Sequence, residues 1–164
     1  ISMDHSNKTP DNDIAQAIQA NLKDIGIKVT LIPGEGKQVI TKTRNRTHQL
    51  ALLQWGTDYF DPNSNTQAFC ENPDDSDKST MKILAWRSHY VDPEMTALAT
   101  AAAKELDSAK RIAMYHTLQQ KAQASAPFAF LLQPIVTAVM GKGVSGFGVG
   151  PVADFTKYGE VKKG

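Results

Sequence analysis

Along the first fifty residues the apolar positions change period twice. Ile1-Ser2-Met3-Asp4 alternates and reads as a short strand, followed by the turn-forming run Ser6-Asn7-Lys8-Thr9-Pro10. Ile14, Ile18, Leu22 and Ile25 then recur at helical spacing, which predicts a helix over residues 13–25 with one apolar stripe. Thr9 or Asp11 is placed to cap its start, and Gly26 sits where a left-handed C-terminal cap is wanted. Ile27, Val29 and Leu31 next alternate with Lys28 and Thr30, a half-buried strand over 27–32. Strand, helix and strand at this spacing make a βαβ unit with a right-handed crossover.

Pro33-Gly34 ends that strand in this reading, and residues 35–46 form a polar helix whose core contacts are Val39 and Ile40. Leu50-Ala51-Leu52-Leu53 shows no alternation, which suits a central strand covered on both faces. It breaks off at Gly56-Thr57-Asp58-Tyr59-Phe60-Asp61-Pro62. In open α/β sheets ligands sit outside the carboxyl ends of the strands, so the segment from Trp55 to Asp61 is the first candidate site. From Asn63 to His89 the periodicity weakens. Glu71, Asp74, Asp75 and Asp77 read as a solvated loop, and Leu84, Trp86 and Tyr90 pin the next segment against the body. Asp92-Pro93-Glu94 opens a helix to Leu106, buried through Met95, Leu98, Ala99, Ala102 and Leu106. Asp107-Ser108 caps a second, over 109–125, with Ile112, Tyr115, Leu118 and Ala122 on its inner face. Two apolar strands are expected at 128–132 and 135–140, then an irregular Gly-rich end from Gly141. The class is α/β, with a mixed sheet flanked by helices.

At 164 residues the chain suits one compact domain with a trailing segment. Eighteen Lys and Arg against seventeen Asp and Glu leave a formal charge of +1, so no global field recruits nucleic acid or anionic lipid. No apolar run approaches the ~20 residues that span a bilayer. Cys70 is the single cysteine and cannot form an intramolecular disulfide; it reads as a small buried apolar side chain.

Several motifs fail on inspection. Gly141-Lys142-Gly143-Val144-Ser145-Gly146 matches GxGxxG, but Phe147-Gly148-Val149-Gly150-Pro151 comes next and sustains no helix to present its amides to a pyrophosphate. Asp61, Asn63 and Asn65 alternate as in a calcium loop, yet the sixth position is Thr66 and the twelfth Asn72. His5, His48, His89 and His116 have no metal-ligand spacing, and no GxSxG elbow presents a nucleophile. Asp58 and Asp61 remain as a carboxylate pair for hydrolysis. No metal and no cofactor is expected.

The run Ile14-Ala15-Gln16-Ala17-Ile18-Gln19-Ala20-Asn21-Leu22-Lys23-Asp24-Ile25-Gly26-Ile27-Lys28-Val29 closely resembles a segment of bacterial extracellular solute-binding proteins of family 5, the dipeptide- and oligopeptide-binding components of ABC importers. The stretch from Leu50 to Pro62 is similar to that family's strand and its Trp-x-x-Asp loop. Leu84-Ala85-Trp86-Arg87, the run from Asp107 to Tyr115, Ala126-Pro127-Phe128 and Val144-Ser145-Gly146-Phe147 come in the family's order.

The resemblance implies one lobe of a two-lobed periplasmic binding protein of the type II, peptide-binding class. Residues 1–150 would be the C-terminal ligand-binding lobe and 151–164 a tail returning to the other lobe, carried by a missing N-terminal part. It implies a non-enzymatic receptor, periplasmic or tethered to the outer membrane face, that delivers peptides to ABC permease subunits without inserting in the membrane. Asp58 is the position that would receive the peptide ammonium, with Trp55 as an apolar or cation–π wall and Gly56, Thr57 and Tyr59 along the peptide main chain. No basic residue lies between Gln49 and Asp58; Arg87 is the candidate within the chain for a peptide carboxylate, the alternatives being a surface salt bridge for Arg87, an anchor in the missing part, or a ligand without a carboxylate. The alternatives are the same fold with a nickel complex, haem, sugar or opine, a hydrolase using Asp58 and Asp61, and a docking module with no small ligand.

Overall fold

A computed structural model describes residues 1–150 and 156–164. In chain order the elements are β1 (Ser2–Ser6), α1 (Asp11–Asp24), β2 (Thr30–Gly34), α2 (Gly36–Arg44), β3 (Leu50–Ala51), α3 (Pro62–Cys70), the single turn α4 (Leu84–Arg87), α5 (Pro93–Lys104), α6 (Ser108–Ser125), β4 (Val144–Ser145) and β5 (Lys162–Lys163). They fall into two compact units, one of Ile1–Trp55 with Asn72–Pro93 and one of Gly56–Glu71 with Glu94–Gly164. The expected boundary between 150 and 151 opens on residues 151–155, which lie outside the described residues. Among the described residues no helix is long and apolar enough to cross a membrane.

The first unit is built on a parallel sheet of order β2-β1-β3. β1 is therefore the central strand, and its middle residues Met3, Asp4 and His5 are all buried. Side chains alternate across a sheet. Met3 accordingly packs on one face with Ala15 of α1, Val29, Ile18, Leu22 and Leu31, while Asp4 on the other accepts a hydrogen bond from Lys42 Nζ of α2 at 2.5 Å. α1 forms as the stripe predicts, except that Ile25 is exposed. Its N-cap is Pro10, without a side-chain cap from Thr9 or Asp11. Gly26, at φ +83°, turns the chain so that the Ile27 amide reaches the Leu22 carbonyl at 2.9 Å. In α2, Glu35 and Gln38 form a capping box, Val39 and Thr43 are buried, and Ile40 is exposed.

Two strand expectations need correction. The second strand begins at Thr30 and runs through Pro33 to Gly34, three residues later than the alternation suggests. Thr30 N–H donates to the Ile1 carbonyl and the Gly34 carbonyl accepts from the Asn7 amide, so residues 30 and 34 face β1. Pro33 falls on the alternate, outward side, where its missing donor costs no ladder bond. The run from Leu50 is an edge of two paired residues with Leu50 and Leu53 exposed, where a central strand over 50–54 is expected. After the Leu52 amide donates to the Asp4 carbonyl the chain leaves the sheet.

The acidic stretch is a loop with Asp74 and Asp77 exposed, as expected, but Glu71 is buried and Asp75 is anchored. Arg46 lies 3.4 Å above the Trp86 ring centroid. Its Nε and Nη2 donate to the Trp86 carbonyl, Nη2 also to the Asp75 carboxylate, and Nη1 to the Asp75 carbonyl at 2.8 Å. His89 Nδ1 bonds the second Asp75 oxygen at 2.8 Å, and Trp86 Nε1 donates to the Ser76 carbonyl at 3.0 Å. Burial pushes the Asp75 carboxyl up, but hydrogen bonds from His89, Asn72 and Arg46 outweigh it and leave it lowered. Burial also lowers His48.

In the second unit Met95, Ala99 and Ala102 of α5 pack with Tyr115 and Leu118 of α6 and with Cys70 of α3. Leu106, expected inside, is 95% exposed, because α5 ends two residues before it. Asp107 caps α6 as expected, accepting from the Lys110 amide at 2.9 Å. α3 occupies a stretch whose weak periodicity predicts no element. Strands are absent at 128–132 and 135–140: this apolar stretch has no regular structure, with Ile135 91% and Val139 95% exposed. Gly146, at φ +80°, lies against the Glu160 carbonyl where β4 and β5 pair antiparallel. Among the described residues no helix comes after it, so no helix N-terminus is seen there to give the GxGxxG match a phosphate-binding geometry.

Two stability measurements probe this packing. Arg46→Ala removes the guanidinium over Trp86 and its bonds to the Trp86 and Asp75 carbonyls and the Asp75 carboxylate, so unfolding free energy should drop by about 2–3 kcal/mol, with Arg46→Lys recovering only part, measured by urea denaturation. Glu71 is buried, and burial raises its carboxyl above the ordinary 4.5 against the hydrogen bond from Gln67 and the nearby Lys104. A raised folded pKa adds stability that is complete below 4.5 and lost as pH climbs through the folded value. Glu71→Gln should therefore raise the melting temperature at pH 7 and lose that advantage at pH 4.

Candidate functional site

Trp55 is the last residue of the first unit and Gly56 the first of the second. The predicted site residues divide there. Trp55 and Arg87 belong to one unit, while Gly56, Thr57, Asp58 and Tyr59 share a loop of the other. Trp55 is 41% exposed, and Asp58 and Tyr59 are exposed as well.

The loop is short of regular structure but not of bonds. The Asp58 amide donates to Ser64 Oγ at 2.9 Å, and Ser64 is buried on α3. Thr57 Oγ1 donates to the Tyr59 carbonyl at 2.8 Å, and the Asp61 amide donates to the same carbonyl at 2.9 Å. Asn63 Nδ2 donates to the Tyr59 hydroxyl at 2.8 Å. The backbone is thus tied down on the helix side while the Asp58 carboxylate stands in solvent. Thr57, Tyr59, Phe60, Asp61, Pro62 and Asn65 line a hollow of about 260 Å³ beside it.

α3 starts here because Asp61 is a good N-cap and Pro62 a good first helical residue. Asp61 Oδ1 accepts from the Asn63 amide at 2.8 Å, and from Arg111 Nη2 of α6 at 2.7 Å. The same guanidinium donates to the Tyr115 hydroxyl at 3.1 Å and, through Nε, to the Ala102 carbonyl at 3.2 Å. The Arg111 hydrogen bond holds the Asp61 carboxyl below its ordinary value, and Asp61 raises Arg111 in turn. Burial raises Tyr115. An aspartate kept ionised and bonded in this way is poorly suited to be the general acid of a carboxylate-pair hydrolase.

In the first unit Arg87 Nε donates to the Lys82 carbonyl at 3.0 Å. Burial, with the nearby charge of Arg44, lowers Arg87. Sequence reasoning singles out Arg87 but misses Arg44. It also misses an open hollow of about 600 Å³ between β2 and α2, where Asp4, Lys37 and Lys42 bring charge among Ile32, Pro33 and Val39. Among the described residues no group of three or more His, Cys, Asp or Glu is placed to hold a metal ion.

Residues 1–77 match the family described as bacterial extracellular solute-binding proteins, family 5 Middle, the family whose segments the sequence resembles. The peptide transport periplasmic protein SapA of Salmonella typhimurium is 27% identical over 156 residues, covering 91% of this chain and 27% of that protein. Di/tripeptide-binding protein 2 of Pseudomonas aeruginosa is 24% identical over 148 residues, covering 88% of this chain and 26% of its own. The chain thus spans about a quarter of the length of these relatives. Among solved structures, a dipeptide binding protein from Pseudoalteromonas in complex with Met-Leu superposes with a TM-score of 0.71 at 19% identity, over 100% of this chain and 32% of that one. The periplasmic binding protein DppA from Helicobacter pylori, in complex with the peptide STSA, gives 0.63 at 24% identity, over 77% and 24%. The chain shares the fold of the matching part of each of these two structures.

The Asp61–Arg111 bond has a direct spectroscopic signature. In an NMR titration the Asp61 carboxyl should ionise below the ordinary 3.8, and Arg111→Gln should move it upward. Because the folded value is depressed, this bond's stabilisation is complete above 3.8 and disappears as pH falls through the folded value.

Proposed function

We propose that this chain is part of the substrate-binding component of a bacterial ABC importer, which captures peptides outside the cytoplasmic membrane and delivers them to permease subunits. The observation that carries the reading is the loop from Gly56 to Asp61: its backbone is bonded to α3 while the Asp58 carboxylate is left facing solvent. The family match and the peptide-binding relatives support it.

In this reading the peptide ammonium makes a charge-assisted hydrogen bond to Asp58. Closure of a second lobe removes the pair from water, and a cleft carboxylate without a cationic partner then carries a desolvation cost. Ligands with a free amine are thereby selected over neutral ones. Backbone groups of Gly56 and Thr57 pair with the peptide main chain, and Tyr59 borders a hollow for a side chain. The protein acts without turnover, on the periplasmic side or tethered there.

Asp58→Asn keeps the shape and removes the charge. In the full-length protein, Asp58→Asn should weaken Met-Leu by about 2–5 kcal/mol if the ammonium is buried against it, and N-acetyl-Met-Leu by little. Calorimetry with both dipeptides checks this, and equal Met-Leu affinity in mutant and wild type refutes it.

A further inference from the structure

We propose that Arg111, a residue of α6, is the positioning residue of the ammonium-binding loop, acting on Asp58 through Asp61 and the first turn of α3. This rests on the proposed role of Asp58 as the ammonium contact. Arg111 is itself held on three sides, by the Ala102 carbonyl, the Tyr115 hydroxyl and the Asp61 carboxylate, with its guanidinium carbon 4.9 Å from the Tyr115 ring centroid. Tyr115 is buried, so the ring against which the fork rests is part of the α5–α6 core. A planar fork satisfied at this many points has little freedom left.

From that fixed point a continuous series of bonds reaches the loop. Asp61 Oδ1 receives Arg111 Nη2 and the Asn63 amide together. The Ser64 amide donates to the Asp61 carbonyl at 3.0 Å, and Ser64 Oγ receives the Asp58 amide. The last of these bonds fixes the backbone that carries the Asp58 carboxylate. Asp61 thus holds two charge-assisted bonds, one within its own helix turn and one to α6, whereas the Asp58 amide–Ser64 and Thr57–Tyr59 bonds are neutral and weaker. Without Arg111 the helix cap survives and the C-terminal end of α3 still packs on α6 through Cys70, but the first turn and the loop lose their charged tie to α6. A binding carboxylate displaced by even an ångström loses much of its discrimination.

Two substitutions separate positioning from mere stability in the full-length protein. Arg111→Gln removes the charged donor. Asp61→Asn keeps an oxygen to cap the Asn63 amide but removes the charge that Arg111 binds. Hydrogen exchange should speed up by about tenfold at the Asp58 and Ser64 amides in either variant, with α5 and the inner turns of α6 unchanged. The double variant should be no worse than either single one, and Arg111→Lys should restore only part of the protection. Uniform acceleration across the unit, or none at Asp58, overturns the proposal. Because exchange needs no bound peptide, it decides the loop claim whatever the ligand. A Met-Leu titration then gives the functional arm: both variants should narrow the affinity ratio of Met-Leu to N-acetyl-Met-Leu. If Asp58→Asn leaves that ratio unchanged, the reading of Asp58 fails. If Asp58→Asn changes it while Arg111→Gln and Asp61→Asn do not, the positioning claim alone fails.

Discussion

The segment between Asn72 and Tyr90 is gathered around one guanidinium set over one indole. The segment contains only the four-residue turn of α4, so it cannot satisfy its polar backbone through secondary structure. Arg46, whose side chain is 7% exposed, supplies the missing donors, reaching the Trp86 and Asp75 carbonyls and the Asp75 carboxylate from a single position. Arginine suits this place because it carries five donors in a plane and stays charged when stacked. An ion pair at that depth would be costly on its desolvation alone. Here the cost is offset because each buried oxygen around the guanidinium has a donor, and Asn72 and His89 complete the set on Asp75.

The second unit uses the same device for a different purpose. Arg111 also sits against an aromatic ring and also bonds an aspartate, but that aspartate is a helix cap adjoining the candidate loop. The two arginines thus convert charge into fixed backbone. One secures an irregular segment, and the other fixes the turn from which the candidate binding carboxylate projects. Under the proposed function this rigidity matters because affinity rests on groups being in place before the ligand arrives.

How much of the fold is legible in the sequence depends on how strongly each element announces itself in apolar spacing. α1, α5 and α6 carry stripes, and their observed bounds lie within a few residues of those the stripes predict. α3 escapes detection although Asp61-Pro62 repeats the Asp92-Pro93 signal that opens α5. Its buried face consists of Ser64, Thr66, Ala68 and Cys70, small and polar residues that leave no apolar period to read. The run from Leu50 looks central because it is unbroken, yet the sheet places it at an edge. Ile135 and Val139 have the composition of strand residues, but no described strand pairs with them. The loop around Asp58 is legible from its position after an apolar run and its likeness to a known family. Arg111 is not, since it is 50 residues from Asp61 and contact at that separation leaves no local mark.

Pro33 lies on the outer strand of the parallel sheet with its nitrogen turned away from β1. An open edge ordinarily invites another chain to dock as an extra strand, which is a common start to aggregation. At Pro33 an incoming strand meets no amide proton, and its ring crowds the approach. The edge is therefore blunted at little cost to the folded sheet, because the bond it forgoes is one the monomer never makes. A single imino acid at this register takes one donor away from the outer edge of the sheet, where a docking strand would need it.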